Sequence, residues 1–265
     1  VTAEVFEKKG ISLYKSGQID AGLSDMESAV KRGSSNPELK VYIGNAYFDK
    51  KNFNKAKLSY EQAQRSGVTD PQAYINLGKI YFEDKQYGAV DRILSEALSK
   101  GNNQAEIYLN RGLARYELKK YDEALPDLDR AISEGATSYD AYAYLGNLQF
   151  QKEEYYLAIA NYDKALAIQS DDHVIFNNRG KAQFNLDQYD KAIADYTKAL
   201  ELKTDYSKAL DNRAQAYFKE NNWEGLKNDL EKLKGKAPLE GEQYAQLGTA
   251  YYQLKDYPQS AVTLK

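Results

Sequence analysis

Apolar and aromatic side chains recur along this chain as two helical stripes separated by short polar breaks, and the pair of stripes returns every 34 residues. In the first stripe of the third repeat, Tyr74, Leu77 and Tyr81 surround Gly78 at the spacing of one helix face. A small residue holds the same place in every repeat: Gly10, Gly44, Gly78, Gly112, Gly146, Gly180, Ala214 and Gly248, with no insertion between them. Nine residues later a second stripe opens on Ile19, Phe53, Tyr87, Tyr121, Tyr155, Tyr189, Trp223 or Tyr257. It runs through small residues such as Ala56, Ala63, Ala124 and Ala131. It also carries a large one sixteen past the ladder: Met26, Tyr60, Leu94, Leu128, Tyr162, Tyr196 or Leu230. Breaks such as Ser66-Gly67, Gly101-Asn102-Asn103 and Asp171-Asp172 close the repeats.

This period predicts an all-α stacked array of about eight 34-residue helix-turn-helix repeats, covering 3–36, 37–70, 71–104, 105–138, 139–172, 173–206, 207–240 and 241–265. Each repeat buries its apolar face against its neighbours, so one solenoid over 1–265 is expected rather than a globular core. The last repeat breaks off within its second helix without a polar capping helix, which raises the expectation that the natural protein continues. Glycine on the first helix and alanine on the second predict a close approach of the two backbones. In the seventh repeat Ala214, Leu226 and Leu233 replace small residues and Gly225 opens the second helix, so an altered helix-pair geometry is expected there.

Leu77-Gly78 with Tyr81, Leu247-Gly248 with Tyr251, and Ala158 with Tyr162 carry a Leu-Gly-x2-Tyr and Ala-x3-aromatic pattern. On these residues the chain resembles the tetratricopeptide repeat family over essentially its whole length. Asn110-Arg111-Gly112 and Asn178-Arg179-Gly180 resemble the bacterial form of the repeat, while the usual closing proline stands only at Pro238. The resemblance implies a right-handed superhelix whose first helices line a concave groove, and a role as scaffold, adaptor, or chaperone or secretion partner. The family's carboxylate clamp would fall on Asn147, Asn178 and Lys208, but Ala143 and Asn212 stand where its other two cations belong. Gripping a terminal carboxylate is therefore not expected.

Composition narrows the chemistry. A net charge of −3 without a basic cluster argues against nucleic acid. No cysteine and one histidine argue against disulfides and a metal site. His173, beside Asp171 and Asp172, reads as a solvated turn residue. Phosphate-binding, dinucleotide and nucleophile motifs are absent, so neither cofactor nor catalysis is expected. No apolar run is long enough to cross a membrane, so direct insertion is not expected. Compartment stays open between bacterial cytoplasm and periplasm, including a membrane-associated assembly.

The expected function is non-enzymatic binding of a peptide or protein segment in the groove, as the interaction module of a larger bacterial protein or assembly. A structural spacer or self-assembling array, or an accessory domain of an enzyme, are the alternatives. Val41, Ile75 and Leu109 form an apolar row three before the ladder and are expected to floor the site. Phe48, Phe82, Tyr116 and Phe150 flank them, and Asn76 and Asn110 would hold a partner backbone. Glu38, Glu106 and Asp140 on one side, with Asp49, Glu83 and Glu117 on the other, would favour an apolar segment with basic flanks. Separately, every repeat with a cation one before the ladder has aspartate fifteen after it. This predicts the ion pairs Lys9–Asp25, Arg111–Asp127, Arg179–Asp195 and Arg213–Asp229.

Overall fold

The computed structural model describes residues 2–264; Val1 and Lys265, the ends of the predicted array, lie outside them. Among the described residues all regular structure is helical, and the helices group into two compact units, Val1–Thr137 and Ser138–Lys265. The N-terminal unit pairs α1 (Ala3–Lys15) with α2 (Ile19–Lys31), α3 (Leu39–Asp49) with α4 (Phe53–Arg65), α5 (Pro71–Glu83) with α6 (Tyr87–Ser99), and α7 (Ala105–Glu117) with α8 (Tyr121–Ser133). The C-terminal unit pairs α9 (Tyr139–Gln151) with α10 (Tyr155–Ile168), α11 (His173–Asn185) with α12 (Tyr189–Leu202), α13 (Ser207–Lys219) with α14 (Trp223–Lys234), and α15 (Gly241–Gln253) with α16 (Tyr257–Thr263). Each unit is thus four repeats of an all-α solenoid, and the 34-residue phase runs through the boundary unbroken.

The glycine ladder acts differently from the backbone approach expected of it. A Cβ on Gly44 would lie 2.6 Å from the Tyr60 ring, on Gly146 2.6 Å from Tyr162, and on Gly112 2.8 Å from Leu128. The missing methyl makes room for the large side chain sixteen residues on, and Tyr60, Tyr162 and Tyr196 are accordingly 0–1% exposed. Backbone atoms come close at the first ladder position, where Gly10 would also meet Met26 N at 2.7 Å. In repeat 7 Ala214 and Leu230 are both fully buried, and Gly225 leaves space for the Tyr217 ring, 2.8 Å from where its Cβ would be.

Two left-handed positions shape the turns. Between the helices of a repeat, Gly17 and then Lys51, Lys85, Lys119, Glu153, Asp187, Asn221 and Lys255 have positive φ. The amide that follows reaches back over the helix end, as Asn52 N–H does to Tyr47 O at 2.8 Å, which satisfies an orphan carbonyl. Just beyond, the ring four past the ladder meets the ring nine past it: Phe48–Phe53 at 5.4 Å, Phe82–Tyr87 at 5.0 Å, Tyr116–Tyr121 at 5.3 Å and Phe150–Tyr155 at 5.4 Å between centroids. These rings clasp the turn inside one repeat.

Candidate binding surfaces

Each of the four cation–aspartate pairs forms. Arg111 binds Asp127 through Nε and Nη2 at 2.7 and 2.6 Å, Arg179 binds Asp195 at 2.7 and 2.6 Å, and Arg213 binds Asp229 at 2.7 Å through both. Lys9 Nζ lies 2.8 Å from Asp25, off the hydrogen-bond direction and largely in solvent. The third arginine nitrogen does something the sequence reading missed. It reaches the second helix of the preceding repeat, at Ser95 (3.0 Å), Asp163 (2.6 Å) or Thr197 (2.8 Å), so one guanidinium brackets two successive repeats.

Where the residue before the ladder is apolar and a tyrosine follows the ladder three residues on, as in repeats 2, 3 and 8, a different bracket appears. Tyr81 OH donates to Glu61 at 2.7 Å, Tyr251 OH to Glu231 at 2.6 Å, and Tyr47 OH to Glu27, each glutamate belonging to the preceding repeat. Burial, reinforced by the carboxylate partner, pushes each of these phenols up to about 12.

The expected groove floor needs correction. Val41 and Ile75 are 5% and 3% exposed, covered because adjacent first helices pack against each other. Leu109 is half-buried. Asn76 is not available to a partner either: its amide donates to Asn45 at 3.2 Å and to Tyr60 OH at 3.0 Å, and Tyr60 donates to Asn45 at 2.7 Å. Asn147, Tyr162 and Asn178 repeat this polar knot in the C-terminal unit. Asn110 is tied to Glu106 O at 2.9 Å. Of the acidic rim, Glu106 is paired with Lys79 at 2.5 Å and Asp49 accepts from Tyr14 OH at 2.8 Å, whereas Glu38 and Glu83 are exposed. Asp140 and Phe150 belong to the C-terminal unit.

A recess of about 500 Å³ lies open between α3 and the α4–α5 turn. Glu38, Val41 and Asn45 form one wall, and Ser66–Asp70 with Gln72 form the other. The turn wall is fixed by its backbone chemistry. Gly67 takes φ 83°, Asp70 accepts the Ala73 amide at 2.8 Å, and Pro71 starts α5 with its φ already helical. The recess is a shorter and more polar feature than the row of side chains predicted.

Tetratricopeptide repeat family patterns match residues 7–66, 105–134, 146–187 and 173–206. The chain belongs to the tetratricopeptide repeat family. Among solved structures, this tetratricopeptide repeat chain resembles YrrB, described as a protein with an unusual peptide-binding site, at 18% identity and TM-score 0.60, over 70% of this chain and 96% of that one. MamA matches at 24% identity and TM-score 0.53, over 65% and 94%. PilF of Pseudomonas aeruginosa matches at 15% and 0.58, over 80% and 97%. At such identities the likeness is one of tetratricopeptide fold. No curated protein matches the chain.

Proposed function

We propose that this tetratricopeptide array is a non-enzymatic interaction scaffold, and that the recess between α3 and the α4–α5 turn takes an extended segment of a partner protein. The observation that carries this reading is the recess itself: about 500 Å³, walled on one side by the capped α4–α5 turn, and lined by the carboxylates Glu38 and Asp70 and the apolar Val41. Its carboxylates favour a segment with a small apolar residue flanked by Lys or Arg, and they act mainly on encounter rate and selectivity. Asn45 Oδ1 and Gln72 Nε2 are engaged with Tyr60 and Asn76, which leaves Asn45 Nδ2 and Gln72 Oε1 as the carboxamide groups for a peptide backbone. YrrB, described as having an unusual peptide-binding site, gives this reading a precedent within the fold.

The test is selection of a random peptide display library on the whole chain, followed by fluorescence anisotropy on the enriched peptides. Gln72→Trp, which fills the mouth, and Glu38→Lys should each weaken binding by roughly tenfold or more, or about 1.4 kcal/mol. Enriched peptides that lack basic residues, or that bind the Gln72→Trp variant unchanged, would refute the reading.

A further inference from the structure

In repeats 4, 6 and 7 an arginine closes the seam between the second helix of one repeat and both helices of the next. Repeat 2 has neither member of the pair: Ile43 stands in the arginine's place and Ser59 in the aspartate's. Repeat 3 makes the same exchange with Leu77 and Ile93, and those two side chains, 0% and 1% exposed, fill the seam themselves. Serine is too small to do so. A recess of about 430 Å³ is left between α2, α3 and α4. Three of its walls, Glu27, Ile43 and Ser59, occupy the positions that Ser95, Arg111 and Asp127 hold in the closed seam of repeat 4.

The recess has an apolar base and a basic rim. Ile43 and Val30 lie at its base, and Leu58 forms a lip that is 53% exposed where the next repeat carries Arg92. Lys31, Lys40 and Lys55 surround it. Lys40 is itself a departure, since Tyr74, Tyr108 and Tyr142 stand at that position in the following three repeats. Lys55 lies over the Tyr47 ring at 5.0 Å, and the nearby Glu27 carboxylate is taken up by the Tyr47 hydroxyl. Positions 40, 43 and 47 share one face of α3, about half a turn from 38, 41 and 45 at 100° per residue. This site therefore lies on the opposite side of α3 from the first-helix recess, and its charge has the opposite sign.

We infer that this outer recess binds a segment of a partner protein carrying one large apolar side chain flanked by Asp or Glu. The anchor occupies the volume that the arginine fills elsewhere, and the flanking carboxylates meet the three lysines. An unfilled apolar recess whose lining carries three lysines against one glutamate, Glu27, is net positive and complements such a motif, and cationic flanks would be repelled from it.

Fluorescein-labelled pentapeptides Asp-Glu-X-Glu-Asp, with X as Trp, Leu or Gly, and a Lys-Lys-Trp-Lys-Lys control are titrated against the whole chain by anisotropy. The Trp and Leu peptides should bind roughly tenfold or more tighter than the Gly peptide, more weakly at high salt, and the lysine control should not bind. The double variant Ile43→Arg, Ser59→Asp imports the seam of repeat 4 and should abolish binding with helicity and melting retained. Lys31→Glu with Lys40→Glu, at the rim, should weaken it roughly tenfold or more and decides the matter alone if the first variant fails to fold. Gln72→Trp should leave binding unchanged, which separates this site from the first-helix recess. Equal binding of the Gly and Trp peptides, indifference to the lysine reversals, or loss on Gln72→Trp would overturn the inference.

Discussion

The two units end their second helices in different ways. In the N-terminal unit α2, α4, α6 and α8 each stop at a glycine with φ between 83° and 94°: Gly33, Gly67, Gly101 and Gly135. The next amide then bonds back across the helix end, Ser34 N–H to Ala29 O at 3.0 Å being one example. In the C-terminal unit α10 and α12 run to 14 residues and leave through extended residues, Gln169 and Lys203. After α10 the break is defined from the far side, where Asp172 accepts the amides of Val174 at 2.6 Å and Ile175 at 3.1 Å to start α11. Both solutions span the same number of residues. The phase of the array is therefore held by the packed seams, and turn chemistry is free to vary within it.

If the seams hold the phase, breaking one should cost most. Arg213→Met leaves Asp229, 1% exposed, without its cation, and is expected to destabilise the C-terminal unit by about 3–5 kcal/mol. The matching Lys9→Met should cost only about 0–1 kcal/mol, because that lysine is solvated. Urea unfolding followed by circular dichroism measures both, and equal losses would mean that burial does not set the value of the bracket.

The ladder gives the next effect. Gly44→Ala forces a methyl to within 2.6 Å of a ring that has no room to move, and an overpacking cost of about 1–3 kcal/mol is expected. Gly78→Ala, with its Cβ 3.3 Å from Leu94, should be far milder, because the helix-propensity gain of roughly 1 kcal/mol offsets the contact. Thermal melts of the two variants test this directly.

Turn variants should be weaker still. Gly101→Ala is expected to cost about 1–2 kcal/mol for its left-handed conformation, while Lys203→Ala in the equivalent turn of the C-terminal unit should change little. Comparable shifts in melting temperature would remove the distinction between the two kinds of turn.

The last effect is alkaline. The folded-state pKa of Tyr81, pushed up to about 12, lies above its ordinary value of 10, so its contribution is whole below pH 10 and fades as pH rises from 10 through 12. Tyr81→Phe should flatten the loss of stability over that window in a pH series of urea melts.

Helix pairs and their phase were legible because the 34-residue period repeats at each step without a gap. The cation–aspartate pairs were legible because both members vary together inside one repeat. The brackets between repeats were also written in the sequence, but one repeat apart. Glu27, Glu61 and Glu231 each precede a repeat with an apolar residue before the ladder and a tyrosine after it, whereas Ser95, Asp163 and Thr197 each precede an arginine. Reading repeats one at a time hides that pattern. The burial of Val41 and Ile75 was not legible, because it depends on the distance between first helices of successive repeats. Helix periodicity fixes the face a residue lies on, but not how closely the next helix covers it. The same distance lets Asn76 reach Asn45 and Tyr60.

The left-handed turn inside each repeat has an electrostatic consequence. It constrains one backbone conformation, and in repeats 2 to 8 that place is filled by a solvent-exposed residue other than glycine. In the N-terminal unit these residues are Lys51, Lys85 and Lys119; in the C-terminal unit they are Glu153, Asp187, Asn221 and Lys255. One edge of each unit therefore carries a regularly spaced tag, uniformly cationic in the first and of mixed sign in the second. Since none of these side chains enters the core, the sign of that tag can be rewritten residue by residue while the solenoid beneath it stays the same.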